Sequence, residues 1–195
     1  MLNLKTTFAA DFIVGLKAFK AQDYDSAFEE FYSLAETGDI RAQTYIGMMY
    51  FNGLSVSKNL ERAAEWYIKA AELGHPHAQY YLGWMYDNGK GLNENNELAV
   101  NWLQLAALQG HPRAQNNLGV MYKKNKQYDE AINIYKRSAK LNPGDSQTYY
   151  NLGISLKNCG KFLEAESNYR QAILLNPNYF EAYNNAIPRA CDWIV

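Results

Sequence analysis

Residues 76–111 read PHAQYYLGWMYDNGKGLNENNELAVNWLQLAALQGH, and this stretch decides the fold. Pro76 suits the first turn of a helix, where its missing N–H costs nothing. Ala78, Tyr81, Leu82, Met85 and Tyr86 follow at i, i+3, i+4, i+7 and i+8, the spacing that gathers apolar side chains on one helical face. Asn88-Gly89 is a stop signal, because glycine takes left-handed backbone without a Cβ penalty. A second helix is expected next, with Leu98, Ala99, Trp102, Leu105 and Ala106 on one face and Gly110 as its end. No segment shows the sustained period-two alternation of strands, so the expected class is all-α.

The helix pair recurs outward from this stretch. Ala78-Gln79 reappears as Ala42-Gln43 and Ala114-Gln115, at intervals of 36 residues. Gly83, Met85 and Tyr86 keep that interval with Gly47, Met49 and Tyr50, and with Gly119, Met121 and Tyr122. Trp102 answers Trp66, and Gly110-His111-Pro112 answers Gly74-His75-Pro76. After Gly119 the interval shortens to 34, and Gly153, Ala165, Tyr169 and Pro177 answer Gly119, Ala131, Tyr135 and Pro143. Gly15, Ala27, Phe31 and Gly38-Asp39 fit a shorter unit upstream. The units are therefore 8–39, 40–75, 76–111, 112–145 and 146–179, with a partial repeat or capping tail over 180–195. Gly83 and Ala99 are small where two helices approach, while Tyr86 and Trp102 fill the space between one pair and the next. A single pair cannot bury its apolar face, so the units are expected to stack as one solenoid domain over 1–195.

Composition narrows the function. The chain has 195 residues, 48% hydrophobic, which excludes wholesale disorder, and its net charge of −1 lacks the basic footprint of a generic nucleic-acid or membrane-surface binder. No apolar run approaches the ~20 residues of a membrane span. Two cysteines make neither a disulfide framework nor a four-thiolate zinc site. Asp11 interrupts the apolar stretch near the N-terminus, so that stretch is not expected to act as a secretory signal; a cytoplasmic location is expected, or a secreted or periplasmic one if a signal stands upstream of this sequence. The neutral total conceals an asymmetry: residues 1–110 carry 8 bases and 13 acids, residues 111–195 carry 11 and 7.

Two kinds of unit resemble known repeats. Units 112–145 and 146–179 resemble tetratricopeptide repeats, through Leu118-Gly119, Tyr122, Ala131, Tyr135 and Pro143, and through Tyr149, Leu152-Gly153, Leu156, Ala165, Tyr169 and Pro177. The 36-residue units are similar to Sel1-like repeats, carrying Ala78-Gln79, Leu82-Gly83, Met85-Tyr86, Asn88-Gly89, Gly91 and Trp102. Unit 40–75 departs from that pattern at Ile46 and Ser55. The resemblance implies a right-handed α-solenoid of antiparallel helix pairs and a non-catalytic scaffold that binds a peptide or partner protein.

In such solenoids, side chains at positions 2, 5, 9, 12 and 13 of each unit line the concave groove. Among these positions the resemblance selects Arg41, Met48, Phe51, His77, Tyr80, Trp84, Arg113, Asn116, Lys123, Lys124, Tyr150 and Lys157, together with Thr44 and, in the first unit, Phe12 and Phe19. The set is unusually apolar for a wetted face, and its bases outnumber its acids, which implies aromatic anchors and an acidic peptide partner. Tetratricopeptide repeats that capture a terminal carboxylate place Asn at position 6 with Lys or Arg nearby. Asn117, Asn151 and Asn185 stand there, but position 5 holds Asn116 and Tyr150 instead of a base, so that clamp is not assigned.

Enzyme readings find little support. His75-Pro76-His77 has no third ligand near in sequence, there is no phosphate loop or nucleophile elbow, and Cys159 precedes Gly160 at a helix end. No enzyme activity, cofactor or metal is expected. At the C-terminus, Pro188 breaks the repeat pattern and Trp193-Ile194-Val195 is apolar: either this tail folds back on the second helix of unit 146–179 or the chain is a repeat fragment of a larger protein, and self-association through the tail is the alternative to a binding role.

Overall fold

The computed structural model describes residues 11–186. They form eleven α-helices and, among the described residues, no strand: α1 (Phe12–Lys20), α2 (Tyr24–Glu36), α3 (Ile40–Asn52), α4 (Leu60–Glu72), α5 (Pro76–Asn88), α6 (Asn96–Leu108), α7 (Pro112–Lys124), α8 (Tyr128–Leu141), α9 (Ser146–Asn158), α10 (Phe162–Leu175) and α11 (Phe180–Ala186). The fold is an all-α solenoid, each repeat contributing one odd-numbered and one even-numbered helix. The C-terminal readings on Pro188 and Trp193 lie outside the described residues. The chain divides into two compact units, Met1–Leu105 and Ala106–Val195.

In the first unit, Phe31, Ile46, Met49, Tyr67, Leu82 and Met85 form a continuous core with the alanines of α2 to α5. The ends of α3 and α5 follow the predicted signal: Gly53 and Gly89 sit at φ 74° and 59° and close the helices. Asp39 opens α3 by accepting from the backbone N–H groups of Arg41 and Ala42. The recurring glutamine has a mechanical role. Gln43 Nε2 donates to Ala35 O at 3.2 Å and Gln79 Nε2 to Ala71 O at 3.1 Å. In the second unit Gln115 Nε2 donates to Ala107 O at 3.2 Å. Each of these carbonyls already accepts from the glycine N–H that follows its helix, of Gly38, Gly74 and Gly110 in turn, and the glutamine adds a second donor that ties the next helix to that last turn.

One face was misread by a fraction of a turn. Leu103 is 1% exposed, whereas Leu98 and Leu105 are 38% and 44% exposed. The cause is Gly83. A Cβ there would lie 2.8 Å from Leu103 Cγ and 3.1 Å from Ala99 O, so the missing side chain is the seat into which Leu103 packs. The expectation that Gly83 and Ala99 mark a close approach matches this geometry.

The other repeats seat an aromatic ring on the same glycine. Gly15 faces Phe31, Gly47 faces Tyr67, Gly119 faces Tyr135 and Gly153 faces Tyr169. The three tyrosine hydroxyls are buried and have no hydrogen-bond partner. Burial pushes each phenol up, that of Tyr169 to about 12, with Tyr150 adding to the effect. An orphan hydroxyl in a core costs about 1–3 kcal/mol. Tyr135→Phe is therefore expected to stabilise the chain by about 1 kcal/mol, read as a higher urea midpoint at unchanged slope; a loss of stability would disprove that the hydroxyl is unpartnered.

Candidate functional site

In the first unit the selected aromatics gather. Phe51 and Trp84, one from α3 and one from α5, stand edge to face with centroids 5.6 Å apart. Phe51 lies 5.8 Å from Tyr81, which in turn lies 5.1 Å from Tyr80 and stacks on buried Tyr67 at 5.0 Å. Edge-to-face and offset pairs are the favoured arrangements of aromatic quadrupoles. Phe51, Trp84, Tyr80 and Met48 are each half-buried, so one side packs on the core and the other meets solvent. Lys58 Nζ sits 5.9 Å from the Phe51 ring.

Arg41 makes its contacts elsewhere. Arg41 is exposed, pairs with Asp39 at 3.0 Å and lies 4.1 Å over the Phe12 ring, so its charge is already answered inside the chain. A cleft of about 520 Å³ beside it is lined by Asp39, Ile40, Leu73, His75 and Pro76. Thr44 is not a groove residue. It is buried, donates to Ile40 O at 3.0 Å and pairs with His75 Nδ1 at 3.1 Å. Burial, then the nearby His77, holds the His75 imidazole below its ordinary pKa against the opposing pull of Asp39. The rings of His75 and His77 are 5.8 Å apart, and among the described residues no group of three or more His, Cys, Asp or Glu could hold a metal ion.

The second unit carries a different chemistry. Lys123 is half-buried on α7, and its Nζ donates to Asn151 Oδ1 at 3.2 Å. Asn151 is 4% exposed, and its Nδ2 donates to Asn116 Oδ1 at 3.2 Å. Burial lowers the Lys123 pKa. Among the described residues no carboxylate lies within ion-pair distance of it. Tyr150, beside Asn151, packs 4.7 Å from Tyr179 and 6.0 Å from Tyr169. Its phenol is raised by burial and then by Glu181. Arg113, Lys124 and Lys157 are exposed at the surface and outside this network. Sequence reasoning weighs Asn151 as a position-6 asparagine and sets it aside for want of a base at position 5, whereas the structure bonds it to a base from position 12, Lys123.

Cys159 is half-buried, with its Sγ 3.9 Å from Asp129 Oδ1. Burial, then that carboxylate, raises its pKa, the reverse of what a nucleophilic thiol needs.

Comparison with known proteins agrees with the repeat register. The Sel1 repeat family matches residues 40–75 and 76–111, and the tetratricopeptide repeat family matches 112–145 and 146–179. No curated protein sequence matches the chain. Among solved structures, a Sel1 repeat protein from Oxalobacter formigenes shares 30% identity over 91% of this chain and 79% of that one, with a TM-score of 0.79. The c5321 protein, a protective antigen of uropathogenic Escherichia coli strains with an SLR fold, shares 23% identity over 90% of this chain and 44% of its own, with a TM-score of 0.76. YrrB, a tetratricopeptide repeat protein with an unusual peptide-binding site, shares 18% identity over 89% and 88%, with a TM-score of 0.64. The last two establish likeness of fold. With the repeats matched in sequence and a relative of this identity spanned over most of its length, the chain belongs to the Sel1 repeat proteins.

Proposed function

We propose that this protein is a non-catalytic interaction scaffold that holds an acidic peptide segment of a partner protein. The observation that carries the reading is the Phe51–Trp84 pair with Tyr80: large rings, half-buried and half-solvated, on repeat positions that in related solenoids meet ligands, and backed by Tyr81. Rings already packed on one side lose little freedom when the other side is covered, which is what an anchor site needs. Sel1 and tetratricopeptide repeats are in general non-catalytic interaction modules, and peptide binding by the similarly folded YrrB agrees with this reading. The unpaired bases of the second unit favour acidic partners.

The test is selection of random peptides on the full chain. The expected winners combine an aromatic or aliphatic residue with Asp or Glu. Trp84→Ala is expected to weaken the best of them about thirtyfold, the equivalent of ~2 kcal/mol for an interface hot spot. Lys123→Glu with Lys124→Glu should abolish the acidic preference. Unchanged selection by a correctly folded Trp84→Ala chain would overturn the proposal.

A second reading, self-assembly, rests on a separate observation. Leu163, Leu174 and Phe180 on α10 and α11 are 75%, 74% and 72% exposed. If that surface drives association, the light-scattering mass rises with concentration, and Leu163→Glu with Leu174→Glu returns it to the monomer value.

A further inference from the structure

We infer that the outer stripe of α10 is a seam for a second copy of this chain, on which two α10 helices pair antiparallel about a two-fold axis, an assignment that rests on the self-assembly reading and not on the aromatic groove.

The stripe differs from its counterparts in the other repeats. Ala27, Ala63, Ala99, Ala131 and Ala165 share one repeat position, on α2, α4, α6, α8 and α10. Two residues before them stand Asp25, Glu61, Glu97, Asp129 and then Leu163. Nine residues after them stand Glu36, Glu72, Leu108, Lys140 and then Leu174. All ten of these residues are exposed. The last unit alone is apolar at both places, with Leu163 and Leu174 75% and 74% exposed. A following repeat would not cover them. α3 packs on α2, α5 on α4 and α9 on α8, yet in each case both positions stay in solvent, and the Asp129 side chain is 80% exposed. The two leucines therefore occupy a face that stacking leaves open, where apolar surface marks a partner.

The spacing says what kind of partner fits. The exposed stripe runs Leu163, Ser167, Arg170, Leu174, with steps of 4, 3 and 4 residues, and lies opposite the buried Ala165, Tyr169 and Ala172. Alternating steps of 3 and 4 are the a/d seam of a coiled coil. Turned end for end, this stripe matches itself. Leu163 meets Leu174 of the second copy and Ser167 meets Arg170, and each contact occurs twice, as an isologous pair requires. The charges agree with that direction. Arg170 pairs with Glu166 of its own helix at 2.7 Å. In the antiparallel pair it faces a serine with the second copy's Glu166 one residue away. In a parallel pair it would face another Arg170, and opposed like charges disfavour that arrangement. Two heptads make a small interface, under about 1,200 Å², the size class of transient pairs, so a Kd on the order of 100 μM is expected.

The experiment uses two full-length chains, each with Cys159→Ser and Cys191→Ser, one carrying Leu163→Cys and the other Leu174→Cys. Both leucines are exposed, so neither change threatens the fold. The chains are held above the expected Kd with oxidised glutathione, separately and as an equal mixture. The mixture should form disulfide-linked dimer at least about tenfold faster than either chain alone. In antiparallel register position 163 faces 174, whereas two copies of position 163 stand about 16 Å apart, beyond the ~7 Å Cα separation a disulfide spans. Light scattering of the unmodified chain should rise from the monomer mass towards twice that value and stop there. Fast linking of either chain alone overturns the proposed register and leaves the self-assembly reading standing. A monomer mass at every concentration, or slow linking in all three samples, means that residues 187–195 or another protein covers the stripe, and overturns both. Neither outcome bears on the Trp84 test.

Discussion

Tyr135→Ala is expected to lower the unfolding free energy by about 4 kcal/mol, within the range found for removing a buried aromatic ring. The ring is fully buried and its hydroxyl has no partner, so the loss consists of transfer and cavity terms with no hydrogen bond to subtract. The sharper test lies in its partner. Gly119→Ala places a Cβ at 2.5 Å from Tyr135 Cζ and 2.6 Å from Cε1. A fully buried ring has no room to retreat, and overpacking of this kind costs about 1–3 kcal/mol, more than the ~1 kcal/mol that alanine gains over glycine within a helix. Gly119→Ala alone should therefore destabilise. In the Tyr135→Ala background the obstacle is gone and the same substitution should stabilise by about 1 kcal/mol, its helix propensity now unopposed. Urea unfolding of the four chains completes the cycle. If Gly119→Ala has the same sign in both backgrounds, the contact between α7 and α8 is not what selects glycine there.

The recurrence of Gly119 and of Tyr135 was legible in the sequence, whereas the contact between them is a finding of the structure, since the sequence matched the glycine with the small Ala99 position instead. A glycine that recurs at a fixed interval inside a helix has a packing reason, and the large residue recurring in the next helix supplies one. Features that cross between helices at unrepeated distances were not legible. Leu103 takes the place of the tyrosine in unit 76–111, and periodicity alone put Leu98 and Leu105 on that face instead. Helical spacing fixes which residues share a stripe but leaves the stripe's width open by a residue on either side. Gln43, Gln79 and Gln115 were visible as a recurrence, but their bonds to carbonyls eight residues earlier required the turn geometry. The meeting of Phe51 and Trp84 was legible, since repeat register places both on one predicted face of adjacent repeats. Asn151 was not, because its partners Asn116 and Lys123 lie 35 and 28 residues away and come from positions 5 and 12, a combination that no single-repeat motif encodes. The apparent excess of free base was also an overcount, for Asp39 answers Arg41 within the same turn.

Gly91→Ala is the other large effect, and it separates two reasons for glycine. Gly91 lies in the loop between α5 and α6 at φ 72°, and a Cβ there would sit 2.3 Å from Leu60 O and 2.5 Å from Leu60 C. The neighbour is backbone at the first residue of α4, which cannot rotate aside as a side-chain tip can. Left-handed backbone costs an L-residue about 1–2 kcal/mol, and the collision adds about 1–3 kcal/mol, so a loss of about 3 kcal/mol is expected. Gly38, Gly74 and Gly160 supply the control. They sit at φ 97°, 91° and 73° with nothing within 4 Å of an added Cβ. Alanine at any of them should cost only the conformational part, about 1 kcal/mol. Hydrogen exchange distinguishes the two mechanisms as well as the magnitudes. Gly91→Ala should speed exchange at the start of α4, where the loop no longer seats, while Gly74→Ala should leave α4 protected. Equal losses at Gly91 and Gly74 would mean that φ alone explains both, and that the long loop of this Sel1 unit does not brace α4.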